Sequence, residues 1–204
     1  RPYILPTHVW GKSWRYSVRG LPGVNPGDGV PGDPHRKGLR FAGTEHSVYV
    51  SFDDGENWRP LRLNMPATSV RDLIVKDDDL AVATHGRGFW ILDNITPLRQ
   101  FAPGLRETAL LTPQVATRVR WNMNTDTPLP PDEPTGENPP DGALIDYTLA
   151  DTFSGEVVLE IKDAKGAVVR RSSSSDQTIA PSAADGNVPR HWSRPPPALS
   201  AERG

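Results

Sequence analysis

The 204-residue chain contains no cysteine. That excludes disulfides, thiolate metal sites and a cysteine nucleophile within it. Zero cysteines fit a reducing cytosol and equally a bacterial secreted protein that never relied on bridges. No run approaches the roughly 18 apolar residues needed to cross a bilayer, so no membrane insertion is expected. An excess of charge of one sign is lacking too. Lys and Arg number 23 against 25 Asp and Glu, a net charge of −2, which leaves no electrostatic footprint for nucleic acid. The five histidines, at 8, 35, 46, 85 and 191, offer no pair at metal-ligand spacing, so no metal is expected. Nor is a cofactor expected: Gly86-Arg87-Gly88 lacks the Lys-Ser/Thr and following helix of a phosphate loop. No stretch keeps a helical apolar period for three turns. The chain opens on Arg1 rather than Met, which points to a piece of a longer protein whose leader could lie upstream.

What is abundant is short, punctuated, strand-like sequence. Leu39–Thr44, Val48–Phe52, Trp58–Leu63, Val70–Val75, Leu80–Thr84 and Phe89–Leu92 are rich in β-branched, aromatic and aliphatic residues. Each is bounded by Gly, Asp, Asn or Pro, as short antiparallel strands are. Lys76-Asp77-Asp78-Asp79 reads as a solvated hairpin turn, its carboxylates lacking calcium-loop spacing. The region is all-β.

Repeats set its organisation. Thr7-His8-Val9-Trp10-Gly11-Lys12-Ser13-Trp14 aligns without a gap on Ser51-Phe52-Asp53-Asp54-Gly55-Glu56-Asn57-Trp58, 44 positions further on. A third copy, Thr84 to Asp93, aligns on Thr44 to Asp53 at an offset of 40. A repeat of that length with about four strands is one blade of a β-propeller.

Ser51-x-Asp53-x-Gly55-x-x-Trp58 has the form of an Asp box, the turn between a blade's third and fourth strands. The Asp53 carboxylate and the Ser51 hydroxyl accept hydrogen bonds from the turn's own amides. Gly55 takes the left-handed backbone, and Trp58 packs between neighbouring sheets, as Trp14 would in the first copy. These four residues are structural candidates. Val9 replaces the expected Asp in that first copy, and the Pro/Gly density from Gly23 to Asp33 opposes the inner strand expected there.

Beyond residue 100 the character changes. Residues 101–140 read as a linker with a Pro-rich loop at 125–134. Residues 141–171 supply strands over 143–149, 156–161 and 167–170, the last two joined by an Asp163-Ala164-Lys165-Gly166 turn. Residues 172–204 form a Ser/Pro-rich tail with too little apolar content to order by itself. The fold class is therefore all-β: a partial propeller of two to three four-stranded blades over residues 1–100, then a truncated β-sandwich of immunoglobulin-like kind.

Residues 39–100, above all Ala83-Thr84-His85-Gly86-Arg87-Gly88-Phe89-Trp90-Ile91-Leu92-Asp93, resemble the last blades of bacterial Asp-box repeat proteins named "glycosyl hydrolase" or sortilin-like. Asn138-Pro139-Pro140-Asp141-Gly142-Ala143, Asp146-Tyr147 and Asn187–Trp192 resemble the β domain that follows the propeller there. The resemblance implies a secreted or periplasmic protein, with a shape like that of sialidases, xyloglucanases and the sortilin luminal domain. Fold does not settle its function.

In such a propeller the turns between second and third strands lie opposite the Asp boxes, on the ligand side. Here they carry Glu45 and His46, and His85 and Arg87, as candidate ligand residues. Glu45 suits acid or base work, the histidines proton transfer, and Arg87 an anion or sugar hydroxyl. Bracing of neighbouring strands is the bland alternative for His85 and Arg87. A ligand-binding scaffold for glycan, peptide or protein is the leading expectation. A glycoside hydrolase is the other, but it needs two carboxylates across a cleft. Asp53 and Asp54 sit side by side on a turn and do not make that pair. Whether the chain is an enzyme stays open.

Overall fold

The computed structural model describes residues 4–7, 10–23, 29–102, 104, 107–117, 136, 142–177 and 199–202. Val9, the Pro-rich loop at 125–134, the motifs at 138–141 and 187–192, and most of the Ser/Pro-rich tail lie outside these. The chain forms two compact units, residues 1–105 and 106–204.

In the first unit, β1 (Arg40–Gly43), β2 (Val48–Ser51) and β3 (Arg59–Pro60) form one antiparallel sheet in that order. A second sheet has the order β4 (Val70–Lys76), β5 (Asp79–Thr84), β6 (Phe89–Leu92). Pro and Gly do not keep the 31–33 segment off β1. The Phe41 N–H donates to the Pro31 carbonyl (3.0 Å), the Asp33 N–H donates to the Leu39 carbonyl (2.9 Å), and Gly32 bridges Arg40. Pro31 serves only as an acceptor, a role its ring leaves intact.

The two sheets share one apolar core. Leu39, Phe41, Val48 and Val50 come from the first, Val70, Leu73, Leu80 and Val82 from the second, with Met65 and Ile95 filling in. Each fully buried side chain of this kind stabilises by about 1.5–3 kcal/mol. A bulge between Val70 and Asp72 opposite β5 lets Val70 and Leu73, three apart, face the same core. Gly43 permits the close approach of β1 to β4: a β-carbon there would sit 2.5 Å from Val70 Cγ1.

A smaller cluster lies on the other face of the first sheet, where Ala42, Tyr49 and Trp58 pack with Ile4. Residues 4–6 and 15–17 pair antiparallel, through the Arg15 N–H to the Pro6 carbonyl (3.3 Å) and the Ser17 N–H to the Ile4 carbonyl (3.0 Å). Trp58 is 3% exposed. Its indole N–H donates to the Ser17 carbonyl (3.2 Å) and hydroxyl (3.1 Å). Trp14 departs from the expectation of inter-sheet packing: it is 61% exposed, lying over its own turn near Gly11, with no sheet among the described residues on its outer side.

Pro60 stands opposite Tyr49, whereas the Leu61 N–H donates to the Val48 carbonyl (2.8 Å). Alternation of the ladder puts the missing Pro60 N–H on the outward side, where it costs no bond.

After β6 the chain forms a short helix rather than a fourth strand, α1 (Thr96–Gln100) with Pro97 in its first turn. Arg99, 11% exposed at its side chain, pairs with the fully buried Asp33 (2.9 Å) and with Asp78, and donates to the Asp77 carbonyl (2.6 Å). Burial alone would lower the Arg99 pKa, but the hydrogen bonds and charges of Asp33 and Asp78 outweigh it and raise it. Arg36 donates to the Leu98 and Phe101 carbonyls and lies over the Phe52 ring, 5.1 Å from its centroid. The 76–79 turn is thus not merely solvated, because Asp78 anchors the helix.

In the second unit, β7 (Ala109–Leu110) pairs with β8 (Tyr147–Thr148), and β9 (Val158–Lys162) pairs with β10 (Val168–Ser173), all antiparallel. The 163–166 turn is as the sequence suggests: Asp163 accepts from the Lys165 (2.8 Å) and Ala167 (2.9 Å) amides, and Gly166 has φ +83°. Ser172 and Ser173, which the sequence assigns to the tail, belong to β10. Ser173 is buried and donates to Glu156. The protein is predominantly β, built of antiparallel sheets.

Trp58→Ala is expected to cost about 3–5 kcal/mol in denaturant unfolding, whereas Trp14→Ala stays within about 0.5 kcal/mol of wild type. Arg99→Ala leaves the Asp33 carboxylate buried without its counter-charge, held only by the His35 and Arg36 amides, and should cost about 3 kcal/mol. An added Asp33→Asn, which removes that charge, is expected to recover much of the loss in the same measurement.

Candidate functional site

The Asp-box turn between β2 and β3 is organised by its own side chains. The Ser51 hydroxyl accepts from the Gly55 amide (2.8 Å) and donates to Asp53 Oδ1 (2.8 Å). Asp53 accepts from the Asn57 amide (2.8 Å) and side chain (2.7 Å). Asp54 and Gly55 take φ +60° and +89°, the conformation that places Gly at the second position. The first copy repeats this geometry 44 residues earlier. The Gly11 amide donates to the Thr7 hydroxyl (2.9 Å), and Trp10 and Gly11 take φ +54° and +85°. Burial alone would raise the Asp53 pKa, but the hydrogen bonds from Asn57 and Ser51 outweigh it and hold it below 3.8. Asp53 therefore stays ionised and bonded, as a turn-former does.

The four candidate ligand residues lie at the other end of the strands. Glu45 and His46 are exposed in the β1–β2 turn, His85 and Arg87 in the β5–β6 turn. One segment, Thr68–Val70, joins the two turns. The Thr68 N–H donates to the His46 carbonyl (3.3 Å), the Val70 N–H to the Thr44 carbonyl (2.9 Å), and the His85 N–H to the Ser69 carbonyl (2.8 Å). Within each turn a threonine closes the loop. Thr44 Oγ1 donates to the Ser47 carbonyl (2.9 Å) and Thr84 Oγ1 to the Gly88 carbonyl (2.7 Å). The bracing is thus done by backbone and threonine groups, while the Glu, His and Arg side chains face solvent.

The 40-residue equivalence slips by one in the second turn. Four residues separate the paired Gly43 and Val48, but five separate Ala83 and Phe89. Phe89 and Ile91 therefore take the ladder positions of Val48 and Val50.

Two further features escaped the sequence. A shallow depression of about 280 Å³ lies beside the Asp box, lined by Gly32, Asp33, Lys37, Gly38, Leu39, Arg40 and Asp54. Its charges are largely internally engaged, Asp33 by Arg99 and Asp54 by Arg40 (2.5 Å). Asp93, at the end of β6, has its pKa raised, first by burial and then by the Asp79 charge. That carboxylate lies at the strand end away from the four candidates. No group of three or more His, Asp or Glu residues is placed to hold a metal among the described residues, and no helix there is long and apolar enough to cross a membrane.

Comparison of the chain with protein-family models, curated proteins and solved structures finds no match.

Asp53→Ala should destabilise the protein by about 0.5–1 kcal/mol at pH 7, the scale of a net hydrogen bond. Because the folded pKa is lowered, the contribution is complete above 3.8. It is lost as pH falls through the lowered folded value. Urea unfolding midpoints of wild type and variant, followed from pH 7 downward, should therefore converge only in strong acid.

Proposed function

We propose that the first unit is a segment of an Asp-box propeller of the bacterial sortilin-like group, acting as a ligand-binding scaffold in a secreted or periplasmic protein. The second unit would be its accompanying immunoglobulin-like β-sandwich domain. The fold part of this reading draws on the Asp-box turn repeated with like geometry at Thr7 and Ser51, and on two antiparallel sheets sharing one core.

One observation carries the functional part. The Glu45-His46 and His85–Arg87 turns hang on the same Thr68–Val70 segment, so their four exposed side chains share one edge. That edge combines one carboxylate, two imidazoles and one guanidinium, a mixture suited to the hydroxyls of a glycan or the backbone and termini of a peptide. Glu45 is the single carboxylate among the four. Two-carboxylate hydrolysis would need a second one several ångströms across a cleft, and this favours binding over glycoside hydrolysis.

The test is a glycan array and a peptide library probed with the labelled protein, alongside a polysaccharide hydrolysis screen. Capture of a defined ligand, weakened at least tenfold by His85→Ala combined with Arg87→Ala without loss of fold by circular dichroism, is the expected result. Polysaccharide turnover abolished by Glu45→Gln would replace the scaffold with a hydrolase. Binding unchanged in the double variant would place the ligand elsewhere.

A further inference from the structure

Asp33 is the one aspartate of the chain that proline follows. The bond between Asp33 and Pro34 differs from other peptide bonds in two respects. Its nitrogen is a tertiary amide, more basic than a secondary one and a better leaving group once it gains a proton. Its carbonyl carbon lies within reach of the carboxylate on the same residue, and closure between them makes a five-membered ring, a cyclic anhydride. Carboxylates serve as nucleophiles of this kind. How fast such an internal attack runs depends on how the two groups are held.

At Asp33 they are held on every side. The backbone is pinned by the Asp33 N–H, which donates to the Leu39 carbonyl (2.9 Å). Pro34 has no N–H, so Asp33 Oδ1 reaches past it and accepts from the amides of His35 (2.8 Å) and Arg36 (2.6 Å). Those two bonds draw the carboxylate forward along the chain, across its own link to Pro34. Asp33 Oδ2 accepts from Arg99 Nε (2.9 Å), and Arg99 is itself anchored by Asp78 and the Asp77 carbonyl. The side chain of Asp33 is 0% exposed, whereas Pro34 is exposed. The depression of about 280 Å³ opens on Gly32 and Asp33 and gives solvent a route to the bond; Lys37 and Arg40, the latter tied to Asp54, are its other charged walls.

We propose that Asp33–Pro34 is a site of self-cleavage, at which the Asp33 carboxylate severs the bond to Pro34. A carboxylate oxygen forms a bond to the Asp33 carbonyl carbon, and that carbon's bond to the Pro34 nitrogen breaks. The nitrogen leaves with the bonding pair and takes a proton from solvent, so Pro34 becomes a new N-terminus. Asp33 is left as the cyclic anhydride, which one water opens to two carboxyl groups. The sum is hydrolysis of one peptide bond by one water, with nothing oxidised or reduced. Because the departing nitrogen needs a proton, the reaction quickens as pH falls. The product is a nicked molecule rather than two separate ones: the Phe41 N–H still donates to the Pro31 carbonyl (3.0 Å), and Arg99 still pairs with Asp33. The reaction requires none of Glu45, His46, His85 and Arg87 and is independent of the ligand-binding reading.

The full chain is incubated at pH 5 and pH 7.5, with and without urea, and the products are identified by mass spectrometry. Two fragments, one ending at Asp33 and one beginning at Pro34, are expected at pH 5. They should form at a rate independent of protein concentration, and about tenfold or more faster in the folded chain than in urea. Hydroxylamine present during the reaction should convert the new C-terminal residue to a hydroxamate, which marks the anhydride. Asp33→Asn removes the nucleophile and is expected to leave the chain intact. Pro34→Ala removes the tertiary amide at an exposed position, where the fold is kept by circular dichroism, and should slow cleavage about tenfold or more. Absence of the two fragments at pH 5, or cleavage no faster in the folded chain than in urea, would overturn the proposal. So would cleavage without hydroxamate, or cleavage undiminished in either variant.

Discussion

Strand β2 has no solvent side, and much of the first unit follows from that constraint. All four of its residues are buried. Val48 and Val50 enter the core shared with the second sheet, while Tyr49 turns the other way, to Trp58, Ala42 and Ile4. A strand that is apolar on both faces is stable only when something covers each face. The sheet must therefore sit between two layers. Its connections, lying at the margins, must satisfy their own polar groups. Ser51, Asp53 and Asn57 do so at one margin, and Thr44 with Ser47 at the other.

Trp58 connects these two requirements. It ends the self-satisfied turn, and it covers the second face. Its indole N–H is given to Ser17, and its backbone N–H donates to the Arg19 carbonyl (2.8 Å). The 15–19 segment is thereby held along the turn, an arrangement reinforced by Arg15, which reaches the Asp54 carbonyl (3.3 Å). Positional order at the opposite margin comes from a different source. Val70 and Thr68 donate across the sheet boundary to Thr44 and His46, while His85 donates to Ser69 of its own sheet, so both exposed turns are tied to the 68–70 segment.

Local pattern made the strands legible. β1, β2, β4, β5 and β6 fall where aliphatic and β-branched runs are bounded by turn residues. The Asp box was legible because each of its bonds spans four residues or fewer. Trp58 is buried and Trp14 exposed, because burial depends on what lies opposite and a motif carries no such information. The Arg99 network was not legible. Its partners Asp33 and Asp78 lie 66 and 21 residues away in sequence, and nothing in a Lys-Asp-Asp-Asp run tells which carboxylate will find a guanidinium. The one-residue slip after Thr84 was hidden for a similar reason. The Thr84–Asp93 alignment is gapless in sequence, and only the pairing of Ala83 with Phe89 exposes the longer turn. At the candidate ligand edge the sequence supplied the four residues, and the shared 68–70 support came from the fold.

Pro60 gives the first sheet a property the second does not have. An outermost strand normally offers a row of donors to any passing chain, and proline is one of the ways proteins withhold it. With its ring on the outward side of β3, that sheet has a blunted border and resists runaway growth by addition of further strands. No such guard residue stands in Phe89–Leu92. Of these two borders, the one at Phe89–Leu92 is therefore the more open to uncontrolled addition of further strands, during biosynthesis or at high concentration.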